Sequence, residues 1–377
     1  MRFLDPALLD DPYAHYEQWR EDFPIWRDEK TKAWVLCRHD DVRAVLKNSV
    51  DFSSVAMKTE MLLPLLQDDP PRHTKLRGIV NKAFTARMLK NIEGSVREIS
   101  LKLAGAIPAD EPIDITQRFT TPLPVAVISQ MMGIPVDRAS DFKRWSNSLT
   151  GSLAGTSMEE RQVDIAEMAE FFAALIPERR AHPGSDLVSA VVNTQVDGQR
   201  LTDQEIVGFS VLLLIGGNET TTNLIGNFLN VLADRADLWR QLQDDSGLID
   251  AGIEEALRFD SPVQFLRRRL INPMTFHGQT VAAQEDVYVV TGSANRDPRN
   301  YETPNEFRLD RNRNHHHSFG FGIHFCIGAP LARMEAKLGM QALLSRFDTV
   351  QRAQGHNDRV PFGLLRGFNH LWLSFEE

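Results

Sequence analysis

About thirty consecutive residues that are apolar on nearly every face set the frame for this chain. Thr202-Asp203-Gln204-Glu205 forms a capping-box pattern, in which the threonine hydroxyl and the glutamate satisfy each other's backbone N–H groups. No proline interrupts the segment that follows as far as Asp234. The spacing predicts a helix of roughly 32 residues, about 48 Å long at 1.5 Å per residue. A helix apolar all round must be buried all round, so the rest of the chain has to wrap it. Its middle is polar and helix-weakening, Gly216-Gly217-Asn218-Glu219-Thr220-Thr221-Thr222. Each glycine costs about 1 kcal/mol relative to alanine in a helix, and something must compensate for that break inside a core.

The wrapping elements are mostly helical. Pro12 to Glu21 reads as a helix, Phe23–Asp28 and Ala33–Arg38 as strands, and Asp40 to Lys47 as a helix with Asp40 available as its cap. From about Arg72 to Ala256 helical periodicity dominates, broken at Pro108, Pro135 and His182-Pro183-Gly184. Strand character returns around Val281–Val290 and Leu371–Phe375. The expected class is α+β, mainly α. No low-complexity run or internal repeat divides residues 1–377, so one domain is expected.

Composition removes several functions. A formal charge of −9 argues against general nucleic-acid binding. Two cysteines, Cys37 and Cys326, exclude a disulfide scaffold, an iron–sulfur cluster and a cysteine-based zinc site. The N-terminus has no signal-peptide pattern, and the longest apolar run, Val211 to Ile215, is far too short to span a bilayer. A cytoplasmic protein without a membrane anchor is expected.

Cys326 carries the chemistry. It lies in a glycine-rich loop, Phe319-Gly320-Phe321-Gly322-Ile323-His324-Phe325-Cys326-Ile327-Gly328, ahead of the helix former Leu331-Ala332-Arg333-Met334-Glu335-Ala336. Pro330 suits the first turn of that helix. Free N–H groups and the positive dipole end favour thiolate there, and a thiolate is the haem ligand that promotes oxygen cleavage. A lone cysteine is more often a small buried hydrophobe, but that leaves the glycine spacing unexplained. Phe325 stands where a dinucleotide fingerprint would need its third glycine.

The loop closely resembles the haem-ligand signature of the cytochrome P450 family, matching at Phe319, Gly320, Gly322, Cys326, Gly328 and Ala332. The resemblance implies haem b (iron-protoporphyrin IX) with Cys326 as axial ligand. It also assigns Gly-Gly-x-Glu-Thr-Thr to oxygen activation: the helix bulges open, Glu219 and Thr220 relay protons, and Gly216 and Gly217 allow close approach. Within Ile253-Glu254-Glu255-Ala256-Leu257-Arg258, Glu255 and Arg258 resemble the family's buried structural pair. His73, Arg77, Arg268 and His324 match its propionate-binding positions. His315-His316-His317 is expected to be loop sequence, because adjacent residues cannot easily aim three rings at one ion.

Substrate contacts implied by the resemblance fall on a loop with Met57, Met61, Leu62, Leu63, Leu65 and Leu66. They also fall on Leu212, Leu213 and Asn218, on Val263, Phe265 and Leu266, and on Leu364 and Leu365. Simple core packing explains each about equally well. Gly151 to Ser157 is a candidate lid hinge. The implied activity is monooxygenation of a small or medium-sized hydrophobic molecule using O2, by hydroxylation or oxidative demethylation. Electrons would come from a ferredoxin or flavodoxin with its reductase, docking on Arg72, Lys75, Arg313, Arg333 and Lys337. Peroxide-driven hydroxylation, oxidative coupling, a haem-binding sensor and a purely structural helical protein are the rivals.

Overall fold

The computed structural model describes all residues except 1, 4, 6, 7, 9, 56–62, 151–156, 197, 312–314 and 362. The central helix runs Asp203–Leu232, with the Thr202/Glu205 capping box formed at its start. At 30 residues it spans about 45 Å. Leu214, Ile225, Leu229 and Leu232 along it are fully enclosed, each contributing roughly 1.5–3 kcal/mol by leaving water. Helices Pro122–Met131, Met158–Ala181, Ile249–Phe259 and Ala329–Leu344 pack around it. The closest of these approaches depends on glycine. A Cβ on Gly252 would stand 2.7 Å from the Phe228 ring, and one on Gly217 would stand 2.6 Å from Ile128 Cδ1.

The β portion is small. A five-stranded sheet has the order Ile25–Arg27, Trp34–Leu36, Asp286–Val289, Leu266–Leu270, Phe52–Ser53. Only the pairing of Trp34–Leu36 with Asp286–Val289 is parallel. A three-stranded sheet joins Ile113–Asp114, Trp372–Glu376 and Thr349–Arg352. The mainly helical α+β arrangement is the expected one.

Two local expectations change. The second helix starts at His39 with Arg38 as N-cap, and Asp40 sits inside the first turn. There its carboxylate meets His39 Nδ1 at 3.0 Å; the His39 backbone N–H is taken by Asp297, from 258 residues away, so a distant carboxylate replaces the local cap. The central helix, expected to bulge at its glycines, is continuous. Thr220 Oγ1 donates to the Gly216 carbonyl at 2.6 Å, a side-chain bond that runs alongside the helical ladder. Met57, Met61, Leu62 and residues 151–156 of the supposed hinge lie outside the described residues.

Among the described residues no helix is long and apolar enough to cross a membrane.

Candidate active site

A cavity with about 1510 Å³ of space between its walls, part of it open to solvent, lies between the central helix and the cysteine loop. On one side stand Leu212, Leu213, Gly216, Gly217 and Thr220 of the central helix. Phe319, Cys326, Gly328 and Ala332 stand on the other. Apolar side chains make up much of the remaining wall: Leu65, Leu66, Phe84, Ile128, Met131, Val263 and Leu266.

Local geometry holds the cysteine in place. Gly320 and Gly322 have φ of +72° and +73°, which side chains rarely tolerate. A Cβ on Gly322 would also stand 2.6 Å from the Leu46 carbonyl oxygen. The Cys326 N–H donates to the Phe319 carbonyl at 2.9 Å. Arg333 lies over the Phe319 ring, 4.6 Å from its centre, and is itself anchored by Glu254 at 2.6 Å.

The thiol behaves differently from the expectation. Burial pushes its pKa up, outweighing the Gly328 and Ala329 N–H groups and the nearby Arg77 and Arg333 that pull it down. The helix start alone therefore does not make a thiolate. A metal ion bound there would supply what the loop lacks, because it deprotonates a coordinating thiol outright.

One rim of the cavity is cationic. The strand Leu266–Leu270 alternates sides, as a strand must. Arg267 and Arg269 turn outward to Asp286, the latter at 2.9 Å. Arg268 between them is buried and lines the cavity. Its Nη1 donates to the Arg267 carbonyl at 2.8 Å, and burial lowers its pKa to about 10. Arg77 lines the same rim and donates to the Phe325 carbonyl at 2.7 Å. His324 also lines it, its Nε2 3.0 Å from Ser54 Oγ, with its pKa pushed down to about 3 by burial and by Arg268 and His73. His73 stands behind, its ring centre 4.3 Å from that of His324. Both of its ring nitrogens are buried without a hydrogen-bond partner among the described residues, and burial lowers its pKa.

Two arginines and two neutral imidazoles converging on one rim call for an anion. The pair of propionate carboxylates on a haem meets that need. Together with an apolar slot and a half-buried cysteine opposite, the residues present fit a haem.

Other sequence-derived candidates are placed less directly. Glu219 and Asn218 are buried in the central helix, off the cavity wall. Phe265 lies outside the wall too. It packs edge-on against Phe3 at 4.9 Å and Tyr288 at 5.2 Å, just ahead of the strand that begins at Leu266. Leu364 packs against that same aromatic cluster, and Leu365 pairs by its backbone with Val263. The three histidines diverge: His316 meets Glu254 at 3.2 Å, His317 meets the His39 ring at 4.5 Å, and His315 is exposed.

Glu255 and Arg258 form a fully enclosed pair at 2.7 Å. Arg258 gives its remaining N–H groups to the carbonyls of Asn295, Pro304 and Glu306. Glu255 also takes Arg311 at 3.1 Å and the Arg308 N–H at 3.0 Å.

Sequence reasoning missed Glu335. It lines the cavity from the helix Ala329–Leu344, fully buried, with no hydrogen-bond partner for either carboxylate oxygen among the described residues. The available signal was one acidic residue among apolar ones on a core-facing stripe with Leu331 and Leu338. Burial raises its pKa well above the ordinary range, which favours the neutral acid. The unfolded chain ionises this group above about pH 4.5, and the folded chain only at higher pH. Folding stability therefore falls by up to about 1.4 kcal/mol per pH unit above that point. Glu335→Gln is expected to match wild type near pH 4 and to become progressively more stable than it toward pH 8, in urea unfolding. Parallel pH profiles would show that Glu335 is ionised in the folded protein.

The comparisons with known proteins agree with this geometry. The family model described as Cytochrome P450 matches residues 141–366. The Putative cytochrome P450 YjiB of Bacillus subtilis is 36% identical, covering 90% of this chain and 88% of its own. The structure of CYP109Q5 from Chondromyces apiculatus superposes with a TM-score of 0.93 at 34% identity, covering 100% of this chain and 98% of that one. CYP109E1 from Bacillus megaterium, solved in complex with testosterone, gives a TM-score of 0.90 at 37% identity, covering 97% and 99%.

Proposed function

Because the chain belongs to the cytochrome P450 family, we propose that it is a single-domain, cytoplasmic haem-thiolate monooxygenase. It inserts one oxygen atom from O2 into a small or medium-sized, mainly hydrophobic molecule, by hydroxylation or oxidative demethylation. The observation that carries this is Cys326 facing Thr220 across one apolar cavity with a cationic rim.

Cys326 would hold haem b through its sulfur, and Arg77, Arg268, His73 and His324 would hold its propionates. Haem iron, when bound through a thiolate, supplies oxygen binding and reductive O–O cleavage. The chain's part is to position the substrate, exclude water and move protons. The apolar wall does the first two. Its lining favours a flat apolar molecule of the size that the Bacillus megaterium relative binds.

Thr220 holds its hydroxyl proton on the Gly216 carbonyl. Rotation about its Cα–Cβ bond turns that donor into the cavity, and the buried Glu219 beside it replenishes the proton. Such a relay favours oxygen-driven turnover over peroxide use.

Electrons would come from a ferredoxin or flavodoxin with its reductase. Of the expected docking cations, Arg313 lies outside the described residues. Arg72 is paired with Glu205, Arg333 with Glu254 and Lys337 with Asp250. Lys75 is exposed, as is 40% of Phe325 beside the cysteine. An apolar contact at Phe325, framed by partly neutralised cations, is the docking surface this arrangement favours.

The test is the carbon monoxide difference spectrum of the reduced protein, followed by turnover with either electron carrier. A thiolate-type Soret band and substrate-dependent NADH use are expected. Thr220→Ala should keep the band and lose about 10²-fold in product per electron. A histidine-type band, or full product yield in Thr220→Ala, would overturn the reading.

A further inference from the structure

One cavity wall is held by side chains to which the reaction gives no task. Asn227 lies on the central helix seven residues beyond Thr220, nearly two full turns along the same face. Its amide nitrogen donates to the carbonyls of Asp260 and Arg366, both at 2.9 Å, and its oxygen accepts from Arg359 at 3.2 Å. The buried Asp260 carboxylate accepts from the Tyr13 hydroxyl at 2.8 Å, from Arg366 Nε at 2.5 Å and from Arg359 Nη1 at 3.3 Å.

From this knot the backbone runs directly into the cavity wall. The Arg366 N–H donates to the Pro262 carbonyl at 2.9 Å, the Gln264 N–H donates to the Leu364 carbonyl at 2.8 Å, and Val263 bridges Leu365. Pro262, Val263 and Leu266 then line the cavity. Three distant stretches of chain, around residues 13, 227 and 366, thus meet on the segment that forms the wall.

We propose that the Asn227–Asp260–Arg366 junction is a positioning device. It fixes the Pro262–Leu266 wall against the helix bearing Thr220, and so sets which apolar ligands the cavity accepts. This rests on the haem-monooxygenase reading. The physical basis is rigidity: every polar atom of the Asn227 side chain is engaged, and the buried carboxylate is compensated by guanidinium groups. Arg366 and Arg359 hold Asp260 down to about 2 against the desolvation that would raise it.

The test uses the haem-loaded full chain with two azoles that coordinate iron, imidazole and the much larger clotrimazole. Imidazole needs little of the wall, whereas clotrimazole presses on it. Asn227→Ala is expected to weaken clotrimazole about 10-fold, or about 1.4 kcal/mol, while imidazole affinity and the carbon monoxide spectrum stay unchanged. Equal loss of both azoles, or loss of neither, would overturn the proposal. If Asn227→Ala does not fold, Arg366→Lys keeps the charge, drops the guanidinium fork, and is read by the same affinity ratio. Failure of the haem reading itself would show separately, as a wild-type chain without a thiolate-type spectrum.

Discussion

Cys326→Ser should eliminate the thiolate-type Soret band of the carbon monoxide complex and abolish monooxygenation. The reason lies in the loop. Gly320 and Gly322 at positive φ, with Gly322 against the Leu46 carbonyl, fix one approach of residue 326 to the cavity. No other thiol is available there, since Cys37, the second of the two cysteines, is buried in another core cluster. The apo fold should be largely unaffected, because the cysteine is an uncharged, half-buried thiol before metal arrives. The change in folding free energy is expected to stay within about 1 kcal/mol. Haem content, the difference spectrum and urea unfolding check the three parts separately. A variant that retained the thiolate-type spectrum would remove Cys326 from its role.

Glu255→Gln should have the opposite profile, a large cost in folding with no direct contact to the reaction. It strands Arg258 and Arg311 as buried cations. Removing one partner of a buried ion pair costs about 3–5 kcal/mol, a large fraction of the 5–15 kcal/mol typical of a whole fold. Expression should fall and the unfolding midpoint should drop sharply. The double replacement Glu255→Leu with Arg258→Met removes both charges and should recover part of the loss. Recovery will be incomplete, because Arg258 also ties down the carbonyls of Asn295, Pro304 and Glu306. A single variant costing under about 1 kcal/mol would mean that the pair is not the anchor of this region.

Both variants act on residues that could be picked out from the sequence. The reason is that their signals are local: a cysteine in a spaced glycine loop, and two opposite charges three residues apart on one helical face. The same holds for the central helix, whose capping box and unbroken apolar run specify both where it starts and that it is buried. Arg268 was identifiable among three consecutive arginines, and strand alternation is the physical reason it faces the cavity alone.

What the sequence could not give depends on the meeting of distant segments. Asp40 is a good cap by local rules, yet Asp297 takes the N–H it would have served. Phe265 and Leu266 are equally apolar neighbours, and only the sheet decides that one faces an aromatic cluster and the other the cavity. A helix start favours thiolate in isolation, but burial reverses the balance at Cys326 until a metal is bound. The Asn227–Asp260–Arg366 junction has no local pattern, since its partners lie over 30 residues apart, and the apolar stripe around Glu335 only hints at what its burial decides. By itself the sequence determined the central helix and marked the glycine-spaced cysteine loop that resembles a haem-ligand signature, because capping, periodicity and glycine spacing act within a few residues. Tertiary structure alone decided which side chains meet in the cavity and which carboxyl groups stay neutral, because desolvation and long-range hydrogen bonds exist only once the chain has closed around its central helix.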